Sequence, residues 1–426
     1  MGVITQGASS LSNFLLTFSV GRLARPDDFG RFAVLYAGFA VVLGLVRSSL
    51  LETLLVAAGH REPGTDEHHD RMALLATVVV IGGLGSVAII GSGLAFAPNA
   101  PDLVAALALA IPVVLVNDTA RYLAIADGRT ERALHSDVVW MVVMIVGAAA
   151  LSTASVPTGA QSEPRVSAAA WAVIVWAIGA GAGLWANRRA LGSCPRRPSR
   201  RRDRSGDPRP DRSISLARPA WPLSLDHLIM TGRGLLFMVT YATVFGPGAV
   251  AAVAMAALAF QPPATAVHGL RHFSLRRLTT VSTDHGGGGR GVETMMPAAV
   301  GLLAVTWAVA VAAVPDTVGV RLLGPSFSLL AAAWLPLAGF EILRLIELPL
   351  LDRFRTPARR AQLPLLRLTS MLAMVAVAVA MATGVIGTET VALESRLVAG
   401  LVGVAVIGWW TVIDRRPTEP LEPFAK

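Results

Sequence analysis

"ITQGASSLSNFLLTFSVGRLARPDDFGRFAVLYAGFAVVLGLVRSSLLETLL", Ile4–Leu55, holds two apolar runs joined at a Pro-Asp-Asp turn. Each run is near the ~20 residues a helix needs to cross a hydrocarbon core. The first carries Gln6, Ser9, Ser10, Ser12, Asn13 and Thr17, and the second carries Arg47. Spanning length combined with polar side chains is the pattern of a membrane bundle that buries something other than lipid, and the rest of the chain repeats it.

Of the 426 residues, 54% are hydrophobic and only 15% charged, with a mean hydropathy of +0.59. Those values lie outside the soluble range. Apolar runs bounded by Pro, Gly and charge predict twelve spans, at 3–22, 32–58, 72–96, 103–124, 137–155, 168–186, 220–245, 249–269, 295–314, 327–351, 364–384 and 391–413. The fold class is therefore all-α and polytopic. Cys194 is the single cysteine, so no intramolecular disulfide forms, and the first run lacks a small-residue cleavage site and reads as a retained span.

Thirty-six of the 37 basic residues are Arg, the other being Lys426. With the N-terminus inside, the inner loops and the tail hold 26 of them, against five in and beside the outer loops. The positive-inside rule then predicts a plasma-membrane protein with both termini cytoplasmic. "RRALGSCPRRPSRRRDRSGDPRPDRSISLAR", Arg188–Arg218, is too polar and broken to bury a core. It is expected to be a tether on the anionic lipids of the inner leaflet rather than a nucleic-acid site.

This linker follows span six. The predicted organisation is an N-terminal six-helix bundle at 1–186, an Arg-rich cytoplasmic linker at 187–219, a C-terminal six-helix bundle at 220–413 and a cytoplasmic tail at 414–426. Short internal matches support a duplication with a pseudo-two-fold repeat. Asp118-x-x-Arg121 closes span four and Glu341-x-x-Arg344 closes span ten, while span two has Gly-Leu-Val-Arg47 and span eight ends in Gly-Leu-Arg. Parallel repeats of this kind suit transporters that rock around a central cavity.

Gln6, Ser10, Asn13 and Thr17 are spaced four, three and four apart, so they fall on one stripe of the first helix. Large amides facing lipid are costly, and the stripe is expected to face water or protein. Arg47 and Arg233 lie more than ten residues from the inner ends of their spans, near the midplane, where an ionised side chain marks function or a buried partner. Asp226 is expected to neutralise Arg233 partly, with Arg47 less neutralised. Arg121, Arg271 and Arg344 lie nearer the cytoplasmic ends and are expected to snorkel. Glu341, Arg344 and Glu347 form an i, i+3 ladder. Asp118, Arg121, Asp226, Glu341 and Arg344 are candidate cavity or gate ion pairs.

A midplane Arg pair would attract an anion, and guanidinium suits phosphate because its planar fork donates two hydrogen bonds at once. No catalytic triad, metal set or cofactor loop is recognised. "DEHHD", Asp66–Asp70, and "HGGGGRG", His285–Gly291, lack the spacing those functions need.

"QGASSLSNFLLTFSVGRLARPDDFGRFA" with "GLVRSSLLETLLV", and later "NDTARYLAIADGRTERALHSDVVW", resemble the polysaccharide exporters and O-antigen flippases of the multidrug/oligosaccharidyl-lipid/polysaccharide (MOP) exporter superfamily. The resemblance rests on Ser10–Phe14, Arg22, Pro26, Phe29, Gly30, Arg47, Asp118, Arg121, Asp137 and Trp140, and covers roughly the first 140 residues. It implies two six-helix bundles with the first two spans of each half lining a cavity. It also implies a cargo of oligosaccharide on polyprenyl diphosphate, moved from the inner to the outer leaflet, and work beside glycan biosynthesis enzymes. Arg47, Arg233, Gln6, Ser10, Asn13 and Thr17 are the expected substrate contacts. The alternatives are a cation-coupled multidrug exporter, for which Asp226 is the one acidic candidate, and a non-transporting scaffold of a glycan assembly complex. A membrane glycosyltransferase or ligase is disfavoured by the short outer loops.

Overall fold

The computed structural model describes residues 2–51, 67–154, 167–188, 221–267, 289–352 and 362–413. Residues 189–219 of the basic linker, Arg271 and the C-terminal tail lie outside these residues, as do the side chains of residues 2–9.

The first half contains α1 (Gly2–Leu23), α2 (Pro26–Val46), α3 (Glu67–Phe96), α4 (Pro101–Ala126), α5 (Thr130–Ala154) and α6 (Ala168–Ala186). The second contains α7 (Trp221–Phe245), α8 (Pro247–Ala259), α9 (Gly289–Ala312), two short helices α10 (Asp316–Leu323) and α11 (Phe327–Ala332), then α12 (Trp334–Asp352), α13 (Gln362–Ala382) and α14 (Glu389–Ile413). Among the described residues nine helices have the length and apolar composition to cross a membrane, and the bent pair Pro247–Ala259 and Gln261–Val267 makes a tenth. α1 and α12 are 22 and 19 residues long but carry the polar stripe and the Glu341, Arg344, Glu347 series. With them, every predicted span has its helix.

Helix starts follow local chemistry. α2, α4 and α8 each begin on Pro, whose missing N–H would have had no intrahelical partner, and Asp27, Asp28 and Asp102 sit in first turns where the helix dipole favours negative charge. Ser167 caps α6, its Oγ accepting from the Ala170 N–H at 3.2 Å, while its own N–H donates to Asp102. The predicted single span at 327–351 is broken at Ala333, and the predicted outer loop at 316–323 is helical. α8 bends by 45° at Phe260, just before Pro262 and Pro263, which cannot donate to the helix ladder.

Packing repeats between halves. α1 packs on α5 as α7 does on α13; α3 on α4 as α9 on α12; α4 on α6 as α12 on α14; α5 on α6 as α13 on α14. The chain is thus two six-helix bundles related by a pseudo-two-fold repeat. They meet chiefly where α2 packs on α7 and α8. Leu84, Leu94, Leu302 and Leu335 point outward and are mostly exposed, the apolar exterior that lipid requires.

Candidate functional site

Successive spans alternate in direction. The face at which α1 begins is called proximal here, and the opposite face distal. Between the halves lies a cavity of about 560 Å³. α1 contributes Asn13, Phe14 and Thr17; α2 a strip from Phe32 through Tyr36 to Gly44, followed by Arg47 and Ser48; α7 His227, Met230, Thr231 and Met238. α8 adds Ala254, Ala257, Leu258 and the adjoining Gln261, and Tyr122 of α4 closes one side. No Asp or Glu lines it among the described residues, and Arg47 is its one charged lining residue there.

Arg47 opens a five-residue π-helical turn, Arg47–Leu51, that continues α2. Such a turn is rare and favours functional sites, because it shifts side chains off the regular helical register. Arg47 donates from Nε and Nη2 to the two carboxylate oxygens of Asp118, both at 2.7 Å. Arg121 holds the same carboxylate at 3.3 Å and reaches Asp137 of α5 at 3.8 Å. Arg47 remains 23% exposed at its side chain, whereas Asp118 is 2% exposed. A guanidinium has five N–H donors, so the Asp118 fork leaves others for a ligand on the cavity side. Asn13 Oδ1 is buried without a hydrogen-bond partner among the described residues.

The second half holds its own ion cluster, away from the cavity lining. Arg233 of α7 donates to Glu347 of α12 at 2.7 Å and to the Ser370 hydroxyl of α13. Arg367 pairs with Asp226 and lies 3.8 Å from Glu347, and Arg344 pairs with Glu341 at 2.7 Å. Arg396 is buried between the rings of Phe237 and Phe340, at 4.6 and 3.9 Å from their centroids.

Several pairings differ from those predicted. Arg47 is bound in a fork by Asp118, because α4 packs behind α2 and presents that carboxylate. Arg233 takes Glu347, while Asp226 faces α13 and is claimed by Arg367. Glu347 therefore leaves the ladder with Arg344. Arg121 is 2% exposed and ion-paired rather than snorkelling; Arg344 is 40% exposed at its side chain and held by Glu341. Of the predicted contacts, Asn13, Thr17 and Arg47 line the cavity, Ser10 is half-buried outside its lining, Arg233 stands outside it, and the Gln6 side chain is not described. Tyr36, Tyr122, His227 and Gln261 line it without having been singled out. For His227 the usable signal was its i, i+4 spacing to Thr231 inside an apolar run.

The distal end is closed by backbone contacts between halves. A Cβ on Gly30 would lie 1.7 Å from the Pro247 carbonyl oxygen, and one on Gly324, whose φ is +94°, 2.2 Å from that of Gly21. Only glycine permits backbones this close.

No protein-family model matches the chain, and no curated protein matches it. Solved structures share its fold. An inward-facing multidrug resistance MATE family transporter of the MOP superfamily aligns with a TM-score of 0.69 at 13% identity, over 96% of each chain. An outward-facing MATE family transporter aligns at 0.55 and 14% identity, over 97% of this chain and 93% of the other. A MOP superfamily transporter from Pyrococcus furiosus, described as having a binding pocket of reverse polarity, aligns at 0.54 and 15% identity over the same shares. The chain thus has the fold of MOP superfamily transporters. The TM-score is higher against the inward-facing example than against the outward-facing one.

Proposed function

We propose that this protein is a transporter that moves an anionic amphiphile, a glycan on a polyprenyl-diphosphate carrier, across the membrane by alternating access. The observation that carries the reading is the charge of the cavity: Arg47 stands in its wall, and no carboxylate does among the described residues. A diphosphate satisfies the free donors of Arg47, and a guanidinium fork recognises phosphate oxygens in pairs. Asn13, Thr17 and Gln261 offer hydrogen bonds to sugar hydroxyls, and Tyr36 and Tyr122 offer ring faces beside them. If the proximal face is cytoplasmic, each negative charge exported across 100 mV is favoured by about 2.3 kcal/mol.

Multidrug export is the second reading, favoured by the description of the inward-facing structural neighbour. A cationic cargo would need an acidic cavity residue, and Asp226 is buried against Arg367 instead. The test is translocation of a fluorescent polyprenyl-diphosphate glycan in proteoliposomes. Intact protein should translocate it and Arg47→Gln should not, with both variants equally folded by thermal melting. Full transport by Arg47→Gln would refute the assignment, and export of cationic dyes alone would move it to the second reading.

A further inference from the structure

The two repeats pack their last helix pairs differently. In the first half, α5 and α6 touch along their length: a Cβ on Gly147 would lie 2.2 Å from the Val175 side chain, one on Gly179 2.5 Å from the Trp140 ring, and one on Gly183 2.9 Å from the Ser136 hydroxyl. In the second half, the approach of α13 to α14 at Ser370 and Gly403 matches the one at Ser136 and Gly183, a Cβ on Gly403 falling 2.7 Å from the Ser370 Cβ. Distal to that point the pair opens into a groove of about 480 Å³ that shares no lining residue with the central cavity. Ala373 and Val377 of α13 form one wall, and Val391, Glu394, Ser395 and Val402 of α14 form the other.

Because successive spans alternate in direction, α14 starts at the distal face. Val391 and Val402 are eleven residues apart, or about 16 Å of helix. Half of the ~30 Å hydrocarbon core is about 15 Å, so the groove runs the depth of one leaflet and ends where Gly403 meets Ser370. A partner helix that crosses the membrane would need a groove twice as long, whereas a lipid of the distal leaflet fits this one. Val391 and Val402 are exposed, as on the rest of the apolar exterior. Polarity along the groove also has a direction. Glu394 is exposed in its distal part with Ser395 beside it, and the deeper lining is apolar. Helical side chains lean toward the N-terminus of their helix, which carries the Glu394 carboxylate toward the distal surface. An ionised carboxylate beside acyl chains is costly without a partner, and among the described residues Glu394 has neither an ion pair nor a hydrogen bond. Charge and depth together call for a cation at headgroup level above an apolar chain.

We infer that this groove binds an amine-headed phospholipid of the distal leaflet, whose ammonium pairs with Glu394 and one of whose acyl chains lies between α13 and α14. The assignment is independent of the cargo proposed above. The bound chain takes the place of the direct contacts that Gly147 and Gly179 make in the first half, and so completes the contact between α13 and α14.

The test is photocrosslinking of the full-length protein in phosphatidylcholine vesicles doped with a phosphatidylethanolamine that carries a diazirine on one acyl chain. Adducts are mapped by mass spectrometry after proteolysis, and a phosphatidylglycerol with the same chain is the comparison. The host lipid has no ammonium N–H to donate. Intact protein should give adducts on the facing residues of α13 and α14 from the ethanolamine lipid, displaced by unlabelled phosphatidylethanolamine and not by phosphatidylglycerol. Glu394→Gln should lower that yield by about fivefold, the upper range for a partly exposed ion pair, and should make the two lipids equal. Ala373→Phe, which fills the groove, should remove the adducts of both lipids, with thermal melting showing that each variant is folded. Adducts in the groove that are equal for the two lipids and unchanged in Glu394→Gln would overturn the inference. Adducts confined to other helices would overturn it as well, and crosslinks between copies through α13 and α14 would assign the groove to a second copy instead.

Discussion

Each half of the molecule buries an ion cluster, and the two are built for different ends. In the N-terminal bundle, Asp118 gathers Arg47 and Arg121, and Arg47 keeps part of its surface in the central cavity. In the C-terminal bundle, Glu347 bridges Arg233 and Arg367, and that cluster stays inside the bundle beside a void of about 10 Å³, about enough for one water. The first cluster therefore presents a tethered cation to the cavity, whereas the second joins α7, α12 and α13. Equal chemistry in repeated bundles does not imply equal function; access to the cavity separates them.

Breaking either cluster by removing its central carboxylate should have the largest effect. Asp118→Ala and Glu347→Ala each leave two arginines without their shared acceptor, a loss of about 3–5 kcal/mol, visible as a marked fall in melting temperature in detergent. Replacing whole pairs with apolar residues should then divide the halves. Arg233→Met/Glu347→Leu should cost less stability than Glu347→Ala, since apolar residues often substitute for a buried pair without loss and Arg367 keeps Asp226, and it should still transport. Arg47→Met/Asp118→Leu leaves Arg121 with Asp137 and should cost less stability than Asp118→Ala, fold, and abolish transport.

A smaller effect tests the seal between halves. Gly30→Val should disfavour the closed distal end by about 1–3 kcal/mol, shifting the equilibrium between open ends by about 5–150-fold. Distal cysteine labelling near Pro247 should rise, and unchanged labelling would show that Gly30 is no part of the seal. The smallest is Asn13→Ala, expected to weaken glycan transport by about fivefold, from the ~1 kcal/mol of a neutral hydrogen bond. The measurement is initial transport rate at low substrate.

Spans and repeat were legible in the sequence because lipid imposes one rule, helices of fixed length with apolar exteriors. The stripe of Asn13 and Thr17 was legible for the same reason, since polar groups at helical spacing must turn from lipid. Ion pairing was not. Which carboxylate meets which arginine depends on the rotation of each helix against its neighbours, and Asp226, seven residues from Arg233 on one helix, turned instead to Arg367 on another. The depth of Arg233 was read from its position, but depth does not distinguish a cavity wall from a bundle core. Nor could the sequence show that Gly44 leaves room for the His227 ring.

The most direct measurement compares cargo and cluster together: transport of a lipid-linked diphosphate glycan and of a cationic dye in proteoliposomes holding intact protein, Arg47→Met/Asp118→Leu or Arg233→Met/Glu347→Leu. The account predicts glycan transport by the intact protein and by the Arg233/Glu347 variant, none by the Arg47/Asp118 variant, and no dye transport by any. Dye transport by intact protein, or equal glycan loss in both variants, would contradict it.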